Sequence, residues 1–272
     1  MAPRIVDAHC HLDAFSDDEL IGVLADARAA GVVLLITVGM DVATSRRGTG
    51  IAAAHEPVLA AVGLHPWNAQ DFPDGAPVAE LEALAGADDV VAVGEIGLDF
   101  VDNSWLGLSY ADPALRARQE RVFRDQLQMA RRLGLPVILH SRGAHATTTR
   151  VLAEEGMEEV GGCVQFFEGT PADVEAYAAL GFGFSVGSSV TFPGAAGAWH
   201  ETVRAIPPEL LLVESDAPWL PYHGHASTRS APADLIAIGA AIARVRGVEP
   251  EALLGAATAN VDRVLRTVRT PA

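Results

Sequence analysis

Eight short apolar runs alternate along this 272-residue chain with longer stretches of helical period, and that alternation restricts the fold more than any other feature. Each run is continuously apolar, which is typical of strands buried on both faces of a parallel sheet. The runs read RIVDAHCHL, VVLLITVG, VLAAVGLHP, VVAVGEIGLDF, PVILHSR, GGCVQFF, FGFSVGSS and LLLVESDAP. Eight βα units without a linker-like segment predict a single domain over residues 1–272 with the (β/α)₈ TIM-barrel fold. An open doubly wound sheet, the main alternative, would have fewer strands, and no glycine-rich dinucleotide fingerprint follows the first run.

The stretches between the runs carry helix-boundary residues. One helix is predicted to start from an Asp112 cap with Pro113 just inside and to end at Gly134. Gly48 and Gly50 weaken the helical pattern of the second stretch. After the eighth run, APADLIAIGAAIARVRG and EPEALLGAATANVDRVLR predict two extra C-terminal helices that cover the barrel. Asn260, in the second of these, is expected to tie the final helix to the barrel.

The charge of the chain narrows its chemistry. The formal net charge is -16, and all 19 basic residues are arginines, because the chain contains no lysine. This excludes a Schiff-base lysine, a phosphate-loop lysine and a carbamylated lysine that bridges two metals. It also argues against an extended basic surface that would bind a nucleic-acid backbone. An anionic substrate would have to be held locally, by a metal or a few arginines.

The remaining composition indicates a cytoplasmic protein, which we expect to be a monomer. No run of eighteen apolar residues predicts a membrane span, and the opening MAPRIVDAHC lacks the charged and apolar blocks of an export signal. Cys10 and Cys163 both fall within predicted strands. We therefore expect two buried packing thiols and no disulfide.

Polar residues interrupt the apolar runs mainly at their C-terminal ends, where the catalytic groups of a parallel barrel lie. His9 and His11 are two residues apart on a strand, so both imidazoles emerge on one face while Cys10 faces away. The other strand-end residues are His65, Glu95, Asp99, His140, Ser141, Arg142, Gln165 and Asp216. Imidazole nitrogens joined by carboxylate oxygens suit Zn²⁺, Mn²⁺ or Fe²⁺ better than Mg²⁺ or Ca²⁺. The set predicts a divalent-metal site at the barrel mouth.

Six ordered stretches resemble the TatD-type metal-dependent hydrolases of the amidohydrolase-like superfamily. They read DAHCHLD, AVGLHPW, VGEIGLDF, GLPVILHSR, LLLVESDAPWL and ATANVDRVL, and they span nearly the whole chain. The resemblance implies an amidohydrolase-like barrel with one or two divalent metal ions (Zn, Mn or Mg). It also implies hydrolysis of phosphodiester bonds, often those of DNA, with other hydrolytic activities known for some members.

Carried over position by position, the resemblance implies the roles of single residues. His9, His11 and Asp216 would bind the first metal, Glu95 would bridge both metals, and His140 would bind the second. The lack of lysine agrees with a barrel hydrolase that bridges its metals with glutamate.

Three further residues are expected near the substrate or the chemistry. His65, in GLHP, resembles a family residue that lies near the substrate, and we count it among the catalytic residues with Glu95 and Asp216. Arg142 and Arg229 can hold a phosphate or carboxylate of the substrate, because guanidinium matches such oxyanions bidentately. Either arginine can equally form a structural pair with one of the many acids.

The sixth strand departs from the family. Where the family usually reads His-Cys-Phe-Ser-Gly, this chain reads QFFEG, so the other ligand of the second metal becomes Gln165. A glutamine carbonyl is a poorer partner for Zn²⁺ than imidazole. The second metal could bind weakly, be a harder ion such as Mn²⁺ or Mg²⁺, or be missing. His223 and His225, in LPYHGHASTR, could complete the site instead, although loop histidines at the surface are the simpler interpretation.

The working hypothesis is hydrolysis by a metal-activated water, for which Asp216 could accept the proton. The most favoured function is a phosphodiesterase or deoxyribonuclease of the 3′–5′ exonuclease type that acts on DNA or RNA ends. A hydrolase of small esters, amides or lactones would use the same centre. A third alternative, which depends on Gln165, is a metal-binding protein with weakened catalysis.

Overall fold

Eight parallel strands form one sheet in which every strand lies beside its neighbours in chain order. The structure is a computed structural model that describes residues 4–104, 107 and 109–267. The strands are β1 (Ile5–Cys10), β2 (Val32–Val38), β3 (Val58–Val62), β4 (Val90–Asp99), β5 (Val137–Arg142), β6 (Gly162–Val164), β7 (Gly183–Val186) and β8 (Leu211–Val213). Every residue of β1 and β4 is buried, as the continuous apolar runs predict.

An α-helix lies between each two successive strands, and two more follow β8. The helices are α1 (Asp17–Ala29), α2 (Val42–Ala54), α3 (Val78–Ala85), α4 (Pro113–Leu133), α5 (His145–Glu154), α6 (Pro171–Ala178), α7 (Ala198–Ala205), α8 (Leu235–Arg246) and α9 (Pro250–Leu265). The predicted barrel and the two C-terminal helices are confirmed. The Asp112 cap of α4 accepts the Ala114 amide, and Gly134 ends the helix at φ 66°. α2 continues through Gly48 and Gly50.

The two edges of the sheet meet just beyond the end of β8. The Asp216 amide donates to the His9 carbonyl at 3.1 Å, and the His11 amide donates to the Ala217 carbonyl at 2.7 Å. These backbone bonds join the end of β1 to the segment after β8. The histidines of the first strand are thereby held against the acid that follows the last.

Helix α9 closes the opposite, N-terminal end of the barrel. The Asn260 side-chain amide donates to the carbonyls of Pro208 and Leu211, at 2.7 and 2.8 Å, where β8 begins. The Thr258 hydroxyl accepts the amide of Val6 in β1 at 3.2 Å. The apolar face of the helix joins a buried cluster of strand side chains through Val261, Val264 and Leu265. The structure confirms the anchoring role expected of Asn260.

Both cysteines are free and buried, as expected. The Cys10 thiol points away from the barrel mouth and donates to the Ile36 carbonyl at 3.4 Å. Burial raises the pKa of both thiols well above the ordinary range, so they are packing groups with little thiolate character. Within the described residues, no helix combines the length and apolarity that a membrane crossing requires.

Candidate metal centre

A first cluster of ligand-type side chains lies where β1 meets the segment after β8. The Nε2 atoms of His9 and His11 are 3.2 Å apart. Asp216 Oδ1 lies 3.5 Å from the first nitrogen and 3.4 Å from the second. All three side chains are buried and could hold a metal ion together. The spacing expected of the two histidines is thus realised, with a carboxylate between them.

Asp216 reaches this position through an unusual backbone conformation. Its φ is 52°, in the left-handed region that non-glycine residues seldom occupy but that aspartate tolerates better than most. The short side chain then points back at β1. The energetic cost of that conformation is of order 1 kcal/mol or more, which is typical of functional sites.

A second cluster contains His65, Glu95 and His140, from the ends of β3, β4 and β5. Glu95 Oε1 lies 2.9 Å from His140 Nδ1 and 3.4 Å from His65 Nε2. The other oxygen, Oε2, lies 3.5 Å from His9 Nε2 and 3.8 Å from His11 Nε2. One carboxylate therefore presents one oxygen to each cluster. This is the arrangement that a bridging ligand requires.

Asp99 determines which nitrogen of His140 faces the centre. Its Oδ2 lies 3.1 Å from His140 Nε2 and also accepts the Trp67 indole N–H at 2.7 Å. A carboxylate that holds the Nε2 proton leaves Nδ1, which faces the cluster, as the nitrogen that can give up its proton to a cation. The sequence marked Asp99 as a strand-end residue but gave it no role. Its spacing of four from Glu95, which puts both on one face of β4, was the available clue.

His65 lies inside the second cluster but is oriented as a proton donor. Its Nδ1 accepts the Trp67 amide at 3.2 Å. In the neutral imidazole the proton is then on Nε2, which faces Glu95. This tautomer cannot bind a metal through Nε2, so the geometry agrees with a residue that acts on substrate or carboxylate. Its substrate-binding or catalytic role stays a prediction.

Gln165 also reaches the second cluster, from the end of β6. Its Nε2 donates to Glu95 Oε1 at 2.6 Å and lies 3.3 Å from His140 Nδ1. Its Oε1 is buried and has no hydrogen-bond partner among the described residues. The two ends of a carboxamide exchange places on a half-turn, so the carbonyl oxygen can face the cluster instead. The neutral amide thus stands where a third ligand of this cluster would be.

Two histidines retain protons in this arrangement. Burial lowers the pKa of His140, but its hydrogen bonds with Asp99 and Glu95 outweigh that effect and raise the pKa to about 9. Burial likewise lowers the pKa of His11, and its hydrogen bond and charge interaction with Asp216 raise it to about 9. One proton therefore occupies each cluster at neutral pH, in a position that a cation would take.

The other titratable groups of the centre shift in the opposite direction. Burial lowers the pKa of His9 to about 4 and also lowers that of His65. For Glu95, burial raises the pKa, but the neighbouring His65 and His9 hold it well below its ordinary range. A buried, ionised carboxylate needs positive charge beside it, which the protons of His11 and His140 supply here and which a metal ion could replace.

Two buried acids, Asp7 and Glu214, hold the chain neighbours of the centre residues in place, and neither acid was assigned a role from the sequence. Asp7 accepts the amide and hydroxyl of Ser215, at 3.0 and 2.6 Å, and so joins β1 to the residue before Asp216. Glu214 accepts the Phe166 amide at 2.5 Å and so joins β8 to the residue after Gln165. Burial raises the pKa of Asp7 to about 7 and that of Glu214 well above its ordinary range. Their position directly beside motif residues was the only clue in the sequence.

The two arginines that were expected at the substrate occupy different surroundings. Arg142 donates from Nε to Asp99 at 3.1 Å, and its guanidinium lies 5.9 Å from the Trp67 ring centre. It is half-exposed and borders the second cluster. Arg229 pairs with Glu19 of α1 at 2.7 Å and lies 4.7 Å from the Phe15 ring centre. Arg229 is thus engaged in a structural pair, and only Arg142 lies beside the centre.

The loop histidines point away from both clusters. His225 Nδ1 accepts the Ser227 amide at 2.9 Å, and its Nε2 lies 3.2 Å from Asp234 Oδ1. His223 is exposed and packs near the Phe192 ring. Neither belongs to a group that could hold a metal among the residues the structure describes. The surface interpretation is therefore favoured over completion of the second cluster.

A parallel eight-stranded barrel with histidines and carboxylates gathered at its C-terminal mouth has the architecture of a metal-dependent hydrolase. The family model described as TatD related DNase matches residues 6–266. The chain belongs to this family, and it is a TatD-family metal-dependent hydrolase.

Relatives and solved structures agree with this assignment. The "Uncharacterized metal-dependent hydrolase YabD" of Bacillus subtilis (strain 168) is 32% identical over 263 residues, 96% of this chain and 99% of the relative. The "3'-5' ssDNA/RNA exonuclease TatD" of Cronobacter sakazakii is 34% identical over 260 residues, 94% of each chain. Among solved structures, the TatD homologue YjjV from Escherichia coli K12 has a TM-score of 0.87 at 30% identity and covers 100% of both chains.

Proposed function

We infer that the protein hydrolyses phosphodiester bonds at the ends of single-stranded DNA or RNA, as a 3′–5′ exonuclease. One observation carries this inference: the Glu95 carboxylate presents one oxygen to each of two ligand clusters. Paired cation sites that share a carboxylate suit phosphoryl chemistry, in which charge develops on both the attacking and the leaving oxygen. The relative from Cronobacter sakazakii, named an exonuclease, supports the same substrate class.

The residues of the centre fit one or two divalent cations. His9, His11 and Asp216 would hold the first, and His140 Nδ1 with Glu95 and the Gln165 carbonyl would hold the second. A bound cation lowers the pKa of a coordinated water and polarises a phosphoryl oxygen. The nitrogen-rich first cluster favours Zn²⁺ or Mn²⁺, and the more oxygen-rich second cluster favours Mn²⁺ or Mg²⁺.

The protein side chains supply orientation and proton transfer. Asp216 is placed to accept a proton at Oδ1, between the two histidines of β1. His65 would donate its Nε2 proton toward a substrate oxygen or Glu95. Asp99 keeps the Nδ1 lone pair of His140 directed into the centre, and Arg142 offers a guanidinium to a phosphate at the rim.

The charge of the molecule limits how much nucleic acid it can hold. With a formal net charge of -16, the protein repels a polyanion over most of its surface. Arg142 is the cation that borders the centre. The substrate would therefore enter by its end, with only a few nucleotides in contact.

The test is cleavage of short single-stranded oligonucleotides in the presence of Mg²⁺, Mn²⁺ or Zn²⁺. We expect shortening from the 3′ end, and we expect Glu95→Gln to lower the rate at least ~100-fold because the bridging charge is removed. The matched control is Glu56→Gln, which changes an exposed acid just before β3, at the end of the barrel opposite the metal centre. Oligonucleotides that remain intact with all three metals would overturn the proposal.

Hydrolysis of small esters, amides or lactones is the second candidate, favoured by the apolar cavity beside the centre. The two candidates share an activated water, so the ligands alone do not separate them. Turnover of a chromogenic ester or lactone while oligonucleotides stay intact would support this second function.

A further inference from the structure

A cavity of about 700 Å³ opens next to the metal centre, between the loops that follow β6, β7 and β8. It borders the centre through the chain, because Phe166 directly follows Gln165 and Leu220 lies in the loop after Asp216. The volume falls in the range of small-molecule sites and is ample for a nucleoside. Burial raises the pKa of the cavity residue Glu168, and the charge of Arg142, at the rim of the centre, partly opposes that effect. The cavity and the centre are therefore neighbours.

The walls of the cavity are apolar and partly aromatic. Phe166, Phe192, Trp199 and Leu220 line it, and Phe192 and Leu220 are 42% and 52% exposed. Large apolar side chains that are exposed together at an active-site mouth indicate a binding surface. Flat aromatic walls are suited to stacking on a planar ring.

The cavity is held open by contacts that fix its walls. The Ser188 hydroxyl donates to the Leu220 carbonyl at 2.5 Å, which joins the loops after β7 and β8. Glu214 holds the Phe166 amide, and the Phe166 ring lies where a side chain at Gly187 would be, 2.7 Å from an added Cβ. Gly187 is therefore required for this position of the ring. The stacking wall exists without a ligand.

The polar groups of the cavity select the chemistry of its occupant. Its charged lining residues are the carboxylates Glu168 and Glu201, and no arginine or histidine is among the lining residues that the structure describes. A phosphate or carboxylate would be repelled there. The indole N–H of Trp199 is buried and has no hydrogen-bond partner in the described ranges. The charged groups of the lining are therefore hydrogen-bond acceptors, which suit an occupant that donates hydrogen bonds.

We propose that this cavity binds the nucleobase next to the scissile bond, and that Glu168 selects bases with an amino group, guanine most strongly. A carboxylate accepts two parallel hydrogen bonds from the ring N–H and the amino group of guanine. Thymine and uracil present one N–H between two carbonyl oxygens, which the carboxylate repels. The proposal rests on the proposed function for the phosphodiester, but the base site itself can be tested without cleavage.

The binding experiment uses free nucleosides, which have no phosphate and need no metal. Isothermal titration calorimetry of the full chain is expected to show guanosine binding at least ~10-fold tighter than inosine, which lacks the amino group, or thymidine. Glu168→Gln is expected to remove that preference, and Glu175→Gln on the outer face of α6 is the matched control. Ala198→Phe, which fills the cavity, is expected to abolish binding. Equal affinities for the nucleosides, or no binding, would overturn the proposal.

The cleavage experiment separates this proposal from the proposed function. Oligonucleotides that differ only in the terminal base are expected to give kcat/KM values ~10-fold higher for guanine than for thymine, with the ratio lost in Glu168→Gln. Cleavage without a base preference would overturn the base site and leave the nuclease. Selective guanosine binding without any cleavage would overturn the nuclease and leave the base site.

Discussion

The two ligand clusters share Glu95 but are built differently. The first takes two imidazoles that lie two residues apart at the end of β1 and a carboxylate from the segment after β8, with ligand atoms 3.2–3.5 Å apart. The second collects its groups from four strands and includes a neutral amide at Gln165 and a histidine, His65, whose lone pair is already used. The comparison leads us to expect that the first cluster binds a cation more strongly than the second, because the second includes a neutral amide at one strand end.

The largest effect should come from Asp216→Asn, which removes the charge of the first cluster. We expect loss of the tightest-bound ion and a fall in activity of ~10³-fold or more, because we propose that this side chain both binds the cation and accepts the proton. Metal analysis of the purified variant and its turnover number are the measurements. Asp26→Asn, an exposed acid on α1, is the control. A variant that keeps its ion and its rate would show that the first cluster is not the strong one.

A change of Gln165 to histidine should strengthen the second cluster. Imidazole is a better ligand for Zn²⁺ than an amide carbonyl, so we expect the Zn²⁺ affinity of the weaker site to rise ~10- to 100-fold. Titration with Zn²⁺ and counting of bound ions per chain would measure it. If neither the Zn²⁺ affinity nor the number of bound ions changes, Gln165 takes no part in metal binding. The difference between the two clusters would then have another origin.

The dependence of metal binding on pH should reveal both clusters at once. Each holds one histidine, His11 or His140, whose pKa is raised to about 9 from the ordinary value of 6.5. Below pH 9 a cation must displace these protons, so affinity should rise about tenfold per pH unit for each displaced proton and level off above pH 9. Calorimetry at pH 7.5 in buffers of different ionisation enthalpy would count the protons. The absence of proton release would contradict the assigned charge states.

The smallest effect separates the two arginines. Arg142→Ala should raise KM for an oligonucleotide ~10-fold, because a guanidinium at the rim of the second cluster is lost. Arg229→Ala should leave KM unchanged and lower Tm by only a few degrees, since an exposed ion pair contributes about 0–1 kcal/mol. Michaelis–Menten kinetics and thermal melts of both variants provide the comparison. A higher KM for Arg229→Ala would instead indicate that the substrate binds near α1 and the first cluster.

The fold was largely predictable because its evidence is local. Continuous apolar runs and helix caps such as Asp112 report on the burial and dihedral preferences of neighbouring residues, and the structure confirms all eight strands and the closing helices. Gly48 and Gly50 made the second helix look weaker in the sequence than it is in the structure. Packing of α2 against β3 outweighs a propensity cost of about 1 kcal/mol for each glycine.

The site was predictable in its residue types and less so in its geometry. His9 and His11 share a face by strand periodicity alone, and the resemblance supplied Glu95, His140 and Asp216. The orienting carboxylate of Asp99 and the buried acids Asp7 and Glu214 could not be assigned, because each acts on a group from another strand. Asp7 and Ser215, for example, meet across 208 positions of the chain.

The sequence by itself determined which segments become strands and which side chains are able to bind a cation, and its lack of lysine excludes a carbamylated lysine as a bridge. Tertiary structure alone decided that Glu95 turns one oxygen to each cluster, that His140 offers Nδ1, and that His225 turns away to Asp234. The physical reason is that strand formation depends on near neighbours, whereas tautomers and shared carboxylates depend on the registers at which distant strands close the barrel.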